Sequence, residues 1–175
     1  MFTELIRVVI KLDNKNKNEL QTFVQNLWQN KRRESRVNLS KSHRSYFKAA
    51  KAMAEMSKFK QVKMGCVIIY KHKIISSGCN GYKTNPIQKK YNKYRFYEDD
   101  GQHSVHAEVD ALLPLIGRND IDFSHVSLYV YREYKNGSPA LARCCNSCME
   151  LIKSLGIKNI YYTNHGGYSH EEILY

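Results

Sequence analysis

VHAEVDALLPLIG, residues 105–117, and CNSCMELIKSLG, residues 145–156, read as two short amphipathic helices, each opening on a residue able to hold a metal. Pro114 should bend or end the first near Leu113, and Gly156 should stop the second. Between them HVSLYVYR (125–132) is a strand, and KNIYYT (158–163) is another. Upstream, KMGCVIIY (63–70) and KIISSGCN (73–80) form a hairpin joined at Lys71–His72, without the usual glycine of such turns. A helical pattern opens at Ser42, where Tyr46, Phe47, Ala50, Met53, Ala54 and Met56 recur at helical spacing as core positions.

The remaining segments are less regular. Residues 80–104 form a long polar stretch, and a loop of that length inside a compact domain is commonly functional. Residues 2–12 are β-branched and strand-like, and 13–18 are a polar turn. Residues 19–36 group Leu20, Phe23, Val24, Leu27 and Trp28 on one helical face, with KRRESR as a solvated helix end. The predicted order is β, α, α, β, β, α, β, α, β and a short tail. It divides into an N-terminal strand–helix extension, 1–41, and a main domain, 42–175.

At 175 residues the chain can bury one real core. No apolar run is long enough to span a membrane, and the first residues lack the pattern of a signal peptide. Five cysteines, an odd number with one Cys-x-x-Cys pair, fit a reducing compartment better than a disulfide framework, so a cytoplasmic protein is expected. The net charge of +12 is unevenly spread: +10 over residues 1–63, +4 over 64–100 and −2 over 101–175. A basic first half fits a phosphate-bearing partner, and equally a solvated lysine-rich surface.

His106-Ala107-Glu108 and Cys145-Asn146-Ser147-Cys148 are weak motifs singly. In this order, each at a helix N-terminus, they match the signature of zinc deaminases. Thiolates are favoured at a helix N-terminus by the exposed N–H groups and the dipole. One His and two Cys give zinc three ligands and leave a fourth position for water. Glu108, two residues from His106, points away from the imidazole on a helix, which suits it to proton transfer rather than ligation.

Over roughly residues 42–168 the chain resembles the cytidine/deoxycytidylate deaminase superfamily. That resemblance implies a three-layer α/β/α sandwich with a mixed central sheet. Too few residues follow KNIYYT for a crossover and a further parallel strand, so a short antiparallel return at 168–174 is expected, or no fifth strand at all. It also implies Zn2+ held by His106, Cys145 and Cys148, with Glu108 as general acid–base. Gly78-Cys79-Asn80 matches the family's Gly-x-Asn, whose Asn contacts the sugar; a turn-forming Asn is the other reading. Ala107 of the His-Ala-Glu motif joins Asn80 as a substrate contact. Family members commonly assemble through helices flanking the active site, so a homo-oligomer is a further expectation.

Cys144 departs from the family's proline before the first ligand cysteine, and either ligates or packs. The 81–104 stretch interleaves Tyr82, Tyr91, Tyr94, Phe96 and Tyr97 with Lys83, Lys89, Lys90, Lys93 and Arg95. Such a mixture suits base stacking and phosphate pairing, and equally an anchored surface loop. Lys83 and His103 are substrate-contact candidates from it. The first functional choice is deamination of cytosine in a free nucleotide or nucleoside. The alternative is a base, cytosine or adenine, in single-stranded DNA or RNA. A zinc-binding domain without turnover is the third reading, and Glu108 argues against it.

Overall fold

The computed structural model describes residues 32–60, 62–95 and 104–175. The strand expected at 2–12, the turn at 13–18 and residues 19–31 of the expected helix lie outside that range. So do Phe96, Tyr97 and His103.

Of the expected helix end at 31–36, the described residues form a strand instead, β1 (Arg32–Arg36). It takes an edge place beside the C-terminal strand, and a sheet edge offers that segment backbone partners a solvated helix end would lack. Helix α1 (Lys41–Met56) follows, its N-terminus capped by Ser40, whose hydroxyl accepts from the His43 N–H at 3.3 Å.

Strands β2 (Met64–Tyr70) and β3 (Lys73–Cys79) form the expected hairpin. Lys71 and His72 both take positive φ, 48° and 62°, the backbone a two-residue turn needs to match strand twist. Strand β6 (Val126–Arg132) lies antiparallel to β2. Strand β7 (Asn159–Asn164) runs parallel to β6, and β8 (Gly167–Ile173) returns antiparallel to β7. The six-stranded mixed sheet has the order β1-β8-β7-β6-β2-β3. The antiparallel return is the one expected from a tail too short for a crossover: Asn164 to Gly167 is a tight turn, and a tight turn can only reverse the chain.

The 80–104 stretch is not a plain loop. It holds β4 (Gly81–Thr84), helix α2 (Pro86–Asn92) and β5 (Ser104–Val105), with β4 and β5 paired as a second small sheet. Asn85 caps α2 by accepting from Ile87 N–H at 2.8 Å, and Pro86 supplies the first helical φ. The two motif helices are α3 (Ala107–Leu112), which tightens into a 3₁₀ turn at Leu113–Leu115, and α4 (Asn146–Ser154). The elements from α1 to β8 lie in one compact unit, Glu34–Ile173.

Both faces of the sheet are covered, which is why β2 reads as an unbroken apolar run. Val67 and Ile69 join Phe47, Ala50 and Ala54 of α1 with Tyr129 and Tyr131 of β6. Cys66 and Ile68 join Val109 and Leu112 of α3 with Met149 and Ile152 of α4. The result is the three-layer α/β/α sandwich. Among the described residues no helix is long and apolar enough to cross a membrane.

Candidate active site

Backbone approach positions the metal helix. A Cβ on Gly78 would lie 2.3 Å from Ala111 N and 2.7 Å from Asp110 C, so β3 carries α3 directly on its backbone. Asp110 accepts from the Cys79 N–H at 3.0 Å, and Ser76 donates to the Ala111 carbonyl at 2.6 Å. These ties fix the start of α3, where His106 is the N-cap and has no side chain capping it. Cys145 is likewise the N-cap of α4.

The two N-termini meet. His106 Nδ1 lies 3.5 Å from Cys145 Sγ and 3.3 Å from Cys148 Sγ. Among the described residues these three form the one His/Cys/Asp/Glu group whose ligand atoms all fall within 4.8 Å of one another. Two thiols this close do not both ionise easily without a cation between them. The hydrogen bond with Cys148 draws Cys145 down to about 3, while the bond with Cys145 and burial push Cys148 well up. Thiolates and imidazole are the donor set that zinc prefers.

Glu108 is 2 % exposed. Burial raises its carboxyl above the usual range, His106 opposes that, and the Cys145 charge adds to it. Its Oε2 has no hydrogen-bond partner although it is buried. A buried carboxylate oxygen left unpaired beside three metal-type donors is what a proton-transfer group requires before its substrate arrives. Cys144 stays out of the ligand group. It is buried among core residues, and burial, with the Glu108 charge beside it, raises its thiol.

The candidate substrate contacts scatter. Ala107, 0 % exposed, opens α3. Lys83 is exposed on β4, and His103 lies outside the described residues. The Asn80 carboxamide is engaged locally: Oδ1 accepts from Met64 N–H and Ser57 O–H, both at 2.8 Å, and Nδ2 donates to the Val62 carbonyl at 2.6 Å. Of the loop cations, Arg95 contacts His106 Nε2. Lys90 and Lys93 line a separate groove of about 450 Å³ with Tyr91, Tyr94, Glu150, Lys153 and Ser154. A larger cleft of about 830 Å³, lined by His43, Tyr46, His125, Tyr129 and Tyr161 among others, includes none of His106, Cys145 and Cys148.

Gln88, Asn92 and Ser147 were missed by sequence reasoning. They form a polar network against both ligand turns. A signal for them existed: Asn85-Pro86 is a helix start, and Gln88 and Asn92 then fall on one face four residues apart.

Residues 40–164 match the family model described as the cytidine and deoxycytidylate deaminase zinc-binding region. The chain belongs to this family. Its cofactor is zinc, and the His/Cys/Cys group is positioned to bind a metal. Among solved structures the chain is similar to cytidine deaminase from Burkholderia pseudomallei, at 18 % identity and a TM-score of 0.51, covering 75 % of this chain and 91 % of that one. It is also similar to the apo dCMP deaminase of cyanophage S-TIM5, at 21 % identity and a TM-score of 0.49, covering 69 % and 81 %. No curated sequence relative matches.

Proposed function

We propose that the chain is a zinc-dependent hydrolytic deaminase of cytosine in a free nucleotide or nucleoside, such as dCMP, CMP or cytidine, yielding the uracil product and ammonia. The observation that carries the proposal is the buried Glu108 carboxylate, with Oε2 unpartnered, beside His106, Cys145 and Cys148. His106, Cys145 and Cys148 hold the zinc. When bound, zinc acts as a Lewis acid that lowers the pKa of an attacking water toward neutrality.

Glu108 would take a proton from the attacking water and deliver it to the ring nitrogen; it would then take the proton of the new hydroxyl on the attacked carbon and pass it to the amino group, which leaves as ammonia as the carbonyl forms. Its raised affinity for a proton suits each transfer. Ala107, fully buried, lies in sequence between His106 and Glu108 and is the backbone contact for the substrate base. Among the described contacts, Asn80 Nδ2 keeps one N–H beyond its bond to Val62, and that hydrogen is the donor for a sugar hydroxyl. Arg95, already against His106, is the cation for a substrate phosphate. Lys83 and His103 supply further contacts from the same excursion of chain.

Support for a free nucleotide over a polymer comes from the sheet order: β1, bearing Arg36, is the edge strand farthest from β3. A second reading, deamination within single-stranded nucleic acid, is favoured by the groove that places Lys90, Lys93 and Lys153 beside Tyr91 and Tyr94. The five cysteines are all free, which fits the cytoplasm.

The test is product mass spectrometry with kcat/KM for cytidine, CMP, dCMP, adenosine and a cytosine-containing oligonucleotide. Turnover of a cytosine monomer, weakened by Arg95→Ala more for the monophosphate than for the nucleoside, is the expected result. Activity confined to the oligonucleotide, or to adenosine, overturns the proposal.

A further inference from the structure

Helix α2 carries a glutamine where packing alone asks for an apolar residue. Gln88 is 0 % exposed, and its side-chain amide lies between the two turns that present the metal ligands. Its Oε1 accepts from the His106 backbone N–H at 3.1 Å. Its Nε2 donates to Ser147 Oγ at 3.1 Å and to Asn92 Oδ1 at 2.7 Å. Ser147, itself 0 % exposed and set between Cys145 and Cys148, donates onward to Asn92 Oδ1 at 3.0 Å.

The donors and acceptors permit one arrangement. The His106 N–H is a donor, so the glutamine oxygen must face it. The NH₂ must then face Asn92 and Ser147, and a reversed amide would set donor against donor and acceptor against acceptor. The amide therefore reads the positions of both ligand turns at once. It does so from a helix that contributes no ligand itself.

We propose that Gln88 is a positioning residue of the metal centre, setting the spacing of the His106 turn from the Cys145–Cys148 turn through its side-chain amide. The proposal rests on the assignment of His106, Cys145 and Cys148 as the zinc ligands. Groups that orient metal ligands from outside the coordination sphere typically govern affinity by about 10–100-fold. Gln88 does this through the backbone of one ligand and the hydroxyl between the other two, so its loss loosens the geometry while leaving the donor atoms in place.

The experiment uses the full chain and metal alone. Zinc affinity is measured by competition with a chromogenic chelator, and ligand geometry from the visible absorption of the cobalt(II)-substituted protein. Gln88→Met keeps similar volume and removes every hydrogen bond; Ser147→Ala removes one hydroxyl at the far end of the network. Ser154→Ala serves as control, because it cuts the 2.8 Å tie between Ser154 and Tyr91 that also joins α2 to α4, but touches neither ligand turn.

The expected result is zinc affinity lowered about 10–100-fold in Gln88→Met and less in Ser147→Ala, with altered cobalt bands in both. Ser154→Ala should match the parent protein. If Gln88→Met does not fold, Ser147→Ala alone decides the question. Unchanged affinity and cobalt spectra in Ser147→Ala and in any folded Gln88→Met overturn the proposal, as do equal changes in Ser154→Ala. Zinc binding by the parent and its loss in Cys148→Ser separately test the ligand assignment, so the two can fail independently.

Discussion

Gly78 packs against the backbone of Ala111 so closely that a Cβ on Gly78 would fall 2.3 Å from the alanine amide nitrogen. The neighbour is helix backbone, not a side chain that can swing aside. Gly78→Ala must therefore push α3 off β3, and α3 bears Glu108 and begins at His106. We expect a loss of about 1–3 kcal/mol in urea unfolding, together with reduced zinc occupancy. Gly81→Ala is the control, because its Cβ would meet only Val105 Cγ1 at 3.8 Å, and it should change neither measurement.

Glu108→Gln preserves shape and removes the charge. Burial raises the Glu108 pKa, so its ionised form is disfavoured in the folded state: stability is full below the ordinary carboxylate pKa and declines as pH rises through the folded value. The glutamine should therefore hold zinc and melt no lower than the parent at pH 7. Turnover should drop by at least ~10²–10⁴-fold. Near-parental turnover would show that another group moves the proton.

The Lys71–His72 turn asks two side-chain-bearing residues to adopt left-handed backbone, at φ 48° and 62°. Each such residue costs roughly 1–2 kcal/mol relative to its favoured conformations. Replacing the pair by Asn-Gly suits the same turn and should raise Tm by about 2–4 °C per kcal/mol recovered. Differential scanning calorimetry gives the answer; a lower Tm would mean the side chains of Lys71 and His72 contribute more than their backbone costs.

His170 stacks on Tyr161 and His43 packs against it at a tilt, at 4.4 and 4.9 Å between ring centroids. Burial lowers the pKa of each. Their neutral forms are favoured on folding, so the stability they carry is present above the ordinary histidine value of about 6.5 and lost as pH falls through the lower folded values. Tm should hold from pH 8 to 7 and fall below about pH 6.5. His43→Gln, which can still accept from the Tyr129 hydroxyl now 2.7 Å from His43 Nδ1, should make that fall shallower. An identical slope would place the acid sensitivity elsewhere.

The motif helices, the β2–β3 hairpin and the antiparallel return were legible because each rests on local chemistry. Pro114 and Gly156 punctuate helices, and a tight turn can only reverse the chain. The His106, Cys145 and Cys148 trio was legible because residue type and helix position together identify a metal site. Strand β1 was not, since pairing with β8 is a tertiary fact and its charged residues carry no period. Helix α2 was hidden by its composition: Ile87, Gln88 and Tyr91 face inward, but lysines and asparagines dominate the window. Gln88 was invisible for a subtler reason, being a polar residue in a polar stretch whose burial depends on α4, far along the chain.

Among the described residues strand β1 has one neighbour in the sheet, β8, and the Val37 N–H that follows it donates to the Tyr168 carbonyl at 3.1 Å. Four strands separate that edge from β3, on which the metal helix rests. Opening that edge therefore begins far in the sheet from the helix that carries His106. In native-state hydrogen exchange the Val37 amide should open well below the free energy of global unfolding, while amides of β2, paired on both sides, exchange only with it. Among the described residues the sheet is thus expected to yield first at that edge, while the half that carries His106, Cys145 and Cys148 remains assembled.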